Sequence, residues 1–295
     1  MDFILFLKYF LLIIGSYLVG NISFARIFSK LKHGDITKKG SGNPGSMNML
    51  RNYGFKMGIL TLLCDAIKGA IPALVGEILF GFGTPSGMVG LYIGGLCVIL
   101  GHNYPVFYKF KGGKGIACAL GVFMVADPLW LLIFFVLAFV YLWFFDYGSF
   151  ASLSIVSALT IIQGIKNYNN TAVCMLLFTI YLLTIFAHRG NIRRLLVGKE
   201  NKANLQKSIK KQFHKKNSAI KTEYKQEKNE VKQEFKQEKE KFRQDKKRFK
   251  EEKQKYQAEK RRMRSSYESR KKTYNYASVL ESVKTQDQLE PFDNE

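Results

Sequence analysis

The sequence predicts an all-α, polytopic membrane protein with about seven transmembrane helices and a charged, largely helical cytoplasmic tail. Three observations lead to this fold class. Apolar runs recur through residues 1–198, basic residues concentrate in alternate loops, and residues 199–295 are rich in Lys, Glu and Gln. We therefore divide the chain into a transmembrane domain, residues 1–198, and a basic tail, residues 199–295, that is helical or partly disordered.

Seven apolar runs are the candidate spans. A helix needs about 20 apolar residues to cross a bilayer core, and most of the runs reach or approach this length. The two at 115–126 and 150–163 are short, and we interpret them as tilted or partial spans. A soluble helical protein would show amphipathic stripes instead. The first run lacks a basic segment before it and a clear cleavage site, so we expect it to be retained. The runs are 3–25, 57–80, 88–107, 115–126, 129–145, 150–163 and 171–187.

Loop charges predict the orientation of these spans. Basic residues fill the segments 26–56 and 103–114 and the chain after 187, whereas 81–87 has no charge and 126–128 has only Asp127. Basic loops of membrane proteins face the cytoplasm. Seven crossings from an outside N-terminus place every basic loop and the tail on that side of the cell membrane.

The tail carries about half of the net charge of +22 and has a regular apolar repeat. Phe235, Phe242, Phe249, Tyr256 and Met263 follow one another at seven-residue intervals. A stable coiled coil needs a second apolar position in each heptad, and here that position is charged. The alternatives are a solitary or weakly self-associating helix, a cytoplasmic partner helix, and contact with anionic lipid headgroups. No nucleic-acid partner is expected, because acidic residues are interleaved with the basic ones.

The cysteines give no sign of a metal site or a redox site. Cys64, Cys97, Cys118 and Cys174 all lie in apolar stretches and form neither a CxxC pair nor a spacing that suits zinc. We expect no metal and no cofactor.

The first motif is a glycine-rich loop, GSGNPGSMN at residues 40–48, followed by Arg51. Glycines let backbone N–H groups turn toward an anion, and an arginine fork matches a phosphate. The alternative is an ordinary polar turn between two spans. The candidate phosphate ligands of this motif are Ser41, Gly42, Asn43, Asn48 and Arg51.

The second motif joins a GHNYP segment, residues 101–105, to the run FKGGKG at 110–115. Two ammonium groups beside bare backbone again suit phosphate, although the run is not a Walker A loop. Anchoring of helix ends at the membrane surface would explain the lysines but not the glycines. The candidate ligands are His102, Lys111, Gly112, Gly113, Lys114 and Gly115.

The third motif, AHRGNIRRL at residues 187–195, ends the last span. His188 and Asn191 are three residues apart and would lie on the same face of a helix. Arg193 and Arg194 are interpreted as stop-transfer charges. A histidine at the membrane boundary is also common without any catalytic role.

The three motifs together resemble the signatures of the acyl-phosphate:glycerol-3-phosphate acyltransferase family of bacterial membranes. The resemblance covers residues 1–200 in order and spacing and includes the segment DAIKG at 65–69. It implies seven spans, a site facing the cytoplasm, and transfer of a fatty acyl group from acyl phosphate to the 1-hydroxyl of glycerol 3-phosphate. The product is lysophosphatidic acid, and the reaction is the first acylation of phospholipid synthesis.

The resemblance also implies roles for individual residues. It assigns phosphate binding to Ser41 and Arg51 in the first motif, and to Lys111 with the loop 112–115 in the second. Ser149 matches a further family position, His188 and Asn191 match the polar pair of the third motif, and Glu200 matches a structural carboxylate. Met47 stands where the family usually has Thr, which leaves the hydrogen bonds of that hydroxyl in doubt. The predicted catalytic residues are Arg51, Lys111, His188 and Asn191, and the predicted structural ones are Asp65, Lys68 and Glu200.

The expected mechanism is direct attack without a covalent enzyme intermediate. The chain has no GxSxG elbow and no HxxxxD box. Cationic side chains and backbone N–H groups would neutralise the leaving phosphate, and the base is either His188 or a substrate phosphate oxygen.

Two other classes of function stay open. A transporter of organic phosphate would use the intramembrane Asp65, Lys68 and Glu77, although Asp65 and Lys68 also suit a structural ion pair, and a membrane anchor would present the tail as a scaffold.

Overall fold

The computed structural model describes residues 3–286 and the side chains of this range except those of 279 and 281–286. Its regular structure in this range is helical, so the predicted all-α class with a long helical tail is confirmed. Residues 1–2 of the predicted N-terminal segment and 287–295 of the predicted tail lie outside the described part. The helices are α1 Phe3–Gly20, α2 Phe24–Leu31, α3 Ser46–Tyr53, α4 Phe55–Phe80, α5 Pro85–Asn103, α6 Ile116–Ala126, α7 Pro128–Phe145, α8 Gly148–Lys166, α9 Thr171–Ala187, α10 Arg189–Leu196 and α11 Leu205–Gln286, with 3-10 turns at Ile36–Lys38 and Val106–Tyr108.

Each predicted apolar run has most of its residues in helices, and the first run, 3–25, is interrupted at 21–23 between α1 and α2. Five helical segments of the described chain are long and apolar enough to cross a membrane, and a sixth is added if α9 and α10, bent by 58°, are one broken span. The run at 150–163 belongs to the 19-residue α8 and has full span length. The run at 115–126 forms α6, which has only 11 residues. Seven complete crossings therefore stay a prediction that depends on α6.

The two ends of α6 lie in different groups of loops. At its start, Gly115 lines a cavity together with residues of the first and third motifs. Beyond its end, Asp127 accepts hydrogen bonds from Gln163 at 3.0 Å and Lys166 at 2.5 Å, and the next loop continues to Asn170, which donates to the carbonyl of Pro85. The weakly charged loops thus lie together and apart from the motif loops. At about 1.5 Å per residue α6 is much shorter than a bilayer core of about 30 Å, so a crossing at α6 would require the loops that it joins to reach inward.

Glycines let α4 approach α5 and α6 closely. A Cβ added to Gly76 would lie 2.1 Å from the carbonyl oxygen of Gly90, and one added to Gly69 would lie 2.1 Å from that of Cys118. Small residues at crossings are typical of membrane helices, because the surrounding lipid is as apolar as a leucine side chain and close backbone packing supplies the attraction.

The chain divides into two compact units, residues 1–217 and residues from 218 onward. The core of the first unit lies where α5, α6, α8 and α9 meet, and its largest fully buried side chains include Tyr92, Phe123 and Leu159. Helix α7 lies at the edge of this unit and has no buried residue, as expected of a lipid-facing helix. The second unit is the greater part of α11, and its described side chains are exposed.

Candidate active site

Asn48 organises the glycine-rich first loop. Its side chain is 1% exposed, and its amide nitrogen donates to the carbonyls of Ile36 at 3.3 Å and Lys39 at 3.0 Å. Its amide oxygen accepts from the backbone N–H of Ser41 at 3.2 Å. Asn48 is therefore a support of the loop, with its hydrogen-bonding groups already used within the protein.

Gly40 occupies a position in this loop that disfavours any residue with a side chain. Its φ is +56°, a left-handed conformation, and an added Cβ would lie 2.5 Å from Asn48 Oδ1 and from Asn52 Nδ2. The tight turn that follows places Ser41 and Asn43 on the wall of the cavity, at the entrance to α3.

Helix α3 carries Arg51 to the same cavity. Its Nε donates to the carbonyl of Lys202 at 2.9 Å and its Nη2 to that of Asn201 at 3.3 Å. Burial lowers the pKa of the guanidinium, and the carboxylates of Glu200 and Asp146 oppose that change. The chain beyond the last span thus holds two of the three nitrogens of Arg51, and Nη1 has no hydrogen-bond partner among the described residues.

The second loop folds back onto the end of α5. The N–H of Gly112 donates to the carbonyl of Asn103 at 3.1 Å, and that of Gly113 to the carbonyl of His102 at 3.0 Å. A Cβ on Gly113 would lie 2.1 Å from Nε2 of His102, so the loop needs glycine there. The two glycines position the lysine that follows them.

That lysine, Lys114, points into the cavity, whereas Lys111 is exposed and does not line it. The ammonium of Lys114 donates to Oδ1 of Asn191. Burial lowers the pKa of Lys114 to about 8, with Glu200 opposing the shift and Arg194 and Arg51 adding to it. The carbonyl of Lys111, in contrast, accepts from Arg26 at 2.8 Å.

The third motif forms a chain of hydrogen bonds around Lys114. Asn191 Nδ2 donates to Oε1 of Glu200 at 2.7 Å, and Arg194 Nε donates to the other carboxylate oxygen at 2.9 Å. The carboxylate of Glu200 therefore fixes both Asn191 and Arg194. His188 is 2% exposed, and its Nδ1 lies 2.9 Å from the carbonyl of Thr184. Since a carbonyl only accepts, Nδ1 carries the proton and Nε2 is an acceptor.

A buried ionic cluster lies beside the cavity. Lys68 Nζ is 2.9 Å from Asp65 Oδ1 and 2.9 Å from Nδ1 of His102, and it also donates to the carbonyl of Ile22 at 2.5 Å. Asp65 and His102 line the cavity and Lys68 does not. The contacts of Lys68 and Asp65 with His102 tie α4 to α5.

The cavity has a polar half and an apolar half. Its empty volume is about 1340 Å³, including the part open to solvent. Ser149 lines it, and the hydroxyl is buried without a hydrogen-bond partner in the described protein. Met47 also lines the wall, packed where a Cβ on Gly148 would stand. The apolar half is lined by side chains of α4, α6, α7 and α8, including Leu62, Leu120, Phe135, Phe139, Leu142 and Ile155.

The structure brings most of the predicted site residues together. Those that line the cavity are Ser41, Asn43, Asn48, Arg51, Asp65, His102, Lys114, Gly115, Ser149, His188 and Asn191. Gly42, Lys68, Lys111, Gly112, Gly113 and Glu200 do not line it.

Sequence reasoning missed Arg194, Asn201 and Leu205, which also line the cavity. The sequence predicts a stop-transfer charge at Arg194, and the carboxylate of Glu200, six residues later, is the one sequence signal for its position at the cavity. Asn201 and Leu205 lie beyond the resemblance, where no motif marks them. The described residues contain no cluster of His, Cys, Asp or Glu that suits a metal ion.

Comparison with known proteins gives related sequences over the first two thirds of the chain. A model of the glycerol-3-phosphate acyltransferase family matches residues 10–198. The glycerol-3-phosphate acyltransferase of Aquifex aeolicus (strain VF5) is 40% identical over 197 residues, which cover 66% of this chain and 100% of that protein. The one of Syntrophotalea carbinolica is 38% identical over 196 residues, covering 66% of this chain and 97% of that protein.

Two solved structures are similar. Both are crystal structures of PlsY (YgiH), an integral membrane glycerol 3-phosphate acyltransferase, and both are 38% identical to this chain and cover 66% of it and 94% of the solved chain. The glycerol 3-phosphate form has a TM-score of 0.60 and the lysophosphatidic acid form one of 0.58.

Proposed function

This chain belongs to the glycerol-3-phosphate acyltransferase family, and we propose that its cavity joins the acyl group of an acyl phosphate to the 1-hydroxyl of glycerol 3-phosphate. It is an integral membrane acyltransferase of phospholipid synthesis that produces lysophosphatidic acid. The prediction of an enzyme therefore holds, and the transporter and scaffold alternatives are set aside. Beyond family membership, we propose three things: the acyl donor, the roles of the residues and the orientation in the cell membrane.

The observation that supports this reaction best is the meeting of Arg51, Lys114 and Arg194 on one wall of a cavity whose other wall is apolar. Both proposed substrates carry a phosphate, and the donor also carries a long hydrocarbon chain. Clustered cations suit the phosphates. The apolar side chains of α6, α7 and α8 suit the hydrocarbon, and the lipid-facing α7 lets it enter from the bilayer.

The phosphate ligands follow from the groups left without protein partners. Arg51 has Nη1 free of a described partner, Lys114 uses one of its three N–H donors on Asn191, and the Ser149 hydroxyl is unpaired. We assign these three groups to substrate phosphates. Ser41 and the backbone N–H groups of the first loop extend the site. Lys111 is exposed, and its predicted phosphate contact would be made at the cavity mouth.

Transfer needs no covalent intermediate, because the acyl phosphate is already an activated anhydride. The 1-hydroxyl oxygen attacks the acyl carbonyl carbon, a new ester C–O bond forms, and the C–O bond to the phosphate breaks to release inorganic phosphate. Arg51 and Lys114 neutralise the charge that develops on the leaving oxygens. The hydroxyl proton goes to Nε2 of His188 or to a phosphate oxygen of a substrate, and both acceptors balance the reaction.

The test is a reaction with defined substrates in detergent. Full-length protein is incubated with palmitoyl phosphate and labelled glycerol 3-phosphate, and lysophosphatidic acid and inorganic phosphate are measured. The expected result is one phosphate released for each lysophosphatidic acid formed. Activity with an acyl thioester, and none with the acyl phosphate, would overturn the proposed donor.

Orientation is tested separately. We propose that the motif loops and the tail are cytoplasmic, because the basic loops lie together and the weakly charged loops lie on another side. Single cysteines at Lys111 and Phe82, both exposed, would be labelled from opposite faces of membrane vesicles. Labelling of both from the same face would mean that α5 does not cross the membrane and would contradict the proposed orientation.

A further inference from the structure

The exposed face of α11 carries a continuous apolar stripe beyond the heptads seen in the sequence. Large apolar side chains recur along residues 220–274 in steps of seven or four, and all are at least half exposed. At about 100° per residue they fall within a sector of about 80°. The stripe consists of Ile220, Tyr224, Val231, Phe235, Phe242, Phe249, Tyr256, Met263, Tyr267 and Tyr274.

The order of the steps keeps the stripe on one side of the helix. Each seven-residue step turns it back by about 20°, and each four-residue step turns it forward by about 40°. The four-residue steps lie at 220–224, 231–235 and 263–267, and the stretch between Phe235 and Met263 consists of unbroken heptads. A stripe held in line over this length indicates a partner that is itself long and narrow.

Charged rows flank the stripe in the same four heptads. An acidic residue follows the aromatic one by three positions, and a lysine follows it by four. The acidic row is Glu238, Asp245, Glu252 and Glu259, and the lysine row is Lys239, Lys246, Lys253 and Lys260. The rows lie on opposite sides of the stripe, at about −60° and +40°.

These rows have no partners within the helix. Among the described residues from 218 onward, the one ion pair is Arg264 with Glu268 at 3.8 Å. An anionic lipid surface or a nucleic acid would attract the lysine row but repel the acidic row, so neither complements both flanks. The occupant that complements both rows is a helix with an acidic and a basic row of its own.

We infer that the stripe on residues 235–263 binds the same stripe of a second copy of this chain, as a parallel, in-register pair of helices. In a parallel two-fold pair the left flank of one helix faces the right flank of the other, so each acidic row meets a lysine row. In an antiparallel pair, acidic rows would face each other and lysine rows would do the same. Two copies in one bilayer share one orientation, which also matches the parallel arrangement.

Cysteine cross-linking in the full-length membrane protein tests the partner and its direction. Phe235→Cys and Met263→Cys are each expected to form a disulfide with the same residue of the second copy, because bridged Cα atoms must lie within about 7 Å. Each variant should then shift to twice the chain mass on a non-reducing gel. Gln254→Cys, about 140° from Phe249 on the helix, is the matched control and should resemble the wild-type chain with its native cysteines.

Three results would overturn the inference. One is cross-linking that appears only when Phe235→Cys and Met263→Cys are mixed, since that result indicates an antiparallel pair. Another is no cross-linking at either position. The third is loss of cross-linking in vesicles of anionic lipid, with the stripe protected by the lipid.

A charge exchange tests the flanking rows. One variant carries lysine at all positions of the acidic row, and the other carries glutamate at all positions of the lysine row. Each should lose self-association, and a mixture of the two, carrying different tags, should restore it. Unchanged self-association of either variant, with helicity retained in circular dichroism, would show that the rows do not direct pairing.

Discussion

Lys114 and the lysines of the tail helix carry the same ammonium group in opposite surroundings. Lys114 is largely enclosed, bound to Asn191 and close to the carboxylate of Glu200. The lysines from residue 218 onward are exposed along a solvated helix. About half of the net charge of +22 lies in the tail, yet the basic groups that line the cavity belong to the first unit.

The difference teaches that charge alone does not locate a site. Enclosure lowers the pKa of Lys114 to about 8 and leaves its ammonium with few partners, so an incoming phosphate gains a strong contact. An exposed lysine already has water as its partner and adds little. Beside the cavity, Glu200 holds Asn191 and Arg194 in position, whereas the carboxylates of the described residues from 218 onward form a single ion pair.

The largest expected effect comes from removing the enclosed cation. Lys114→Ala should lower kcat/KM by about 100-fold, because a buried charge aimed at the leaving phosphate is lost. The measurement is steady-state release of phosphate from palmitoyl phosphate. Lys56→Ala, at an exposed position at the start of α4, is the matched control and should keep wild-type activity.

Lys111→Ala separates the two lysines of the second motif, since a loss as large as that of Lys114→Ala would make Lys111 the direct ligand.

The pH dependence is the next largest effect. Because the pKa of Lys114 is lowered to about 8, the charge is lost as pH rises through that value instead of near the usual 10.5. Between pH 7 and pH 9 the protonated fraction, and with it kcat/KM, should fall by about tenfold. Lys114→Arg keeps its charge throughout this range, so its profile should lack this fall. An identical alkaline limb in both proteins would assign the ionisation to another group.

Much of the fold could be predicted because the length of an apolar run and the charge of a loop are properties of consecutive residues. The runs that became α4, α5, α7, α8 and α9 were placed within a few residues. The first run was harder, since Asn21 ends α1 and the chain turns before α2, a break that apolar composition does not reveal. The shortness of α6 was visible in the sequence. That its ends lie in different loop groups depends on contacts of Asp127 and Gly115 with distant residues.

For the site, the sequence indicated which segments take part but not which of their side chains enter the cavity. Glycine and charge marked loops whose residues line one cavity, but the direction of a side chain within a glycine-rich loop has no periodicity from which it can be inferred. The resemblance implied a catalytic role for Lys111 and phosphate binding for Lys114 as well, and of these two lysines it is Lys114 that lines the cavity. Arg194 was missed because its role depends on Glu200, which the chain brings back after α10 ends.

A smaller effect is expected at Ser149. The buried hydroxyl has no partner in the described protein, and we expect it to donate to a substrate phosphate. Ser149→Ala should raise the KM for one of the two substrates by about fivefold, the size of one hydrogen bond, with kcat nearly unchanged. Ser154→Ala, exposed on the same helix, is the control. An unchanged KM for both substrates would remove Ser149 from the binding site.

The smallest effect should follow removal of the second unit. Truncation after Asn217 removes the second unit but none of the residues that line the cavity, so kcat/KM in detergent should stay within about twofold of the full-length value, as for changes far from a site. Truncation after Glu200 is the contrast. It removes the carbonyls of Asn201 and Lys202 that hold Arg51, together with Leu205 from the cavity wall, and it should lower activity although the three motifs stay intact. Equal activity of the two truncated proteins would mean that the cavity does not need the start of the tail, and strong loss after Asn217 would mean that the second unit takes part in catalysis.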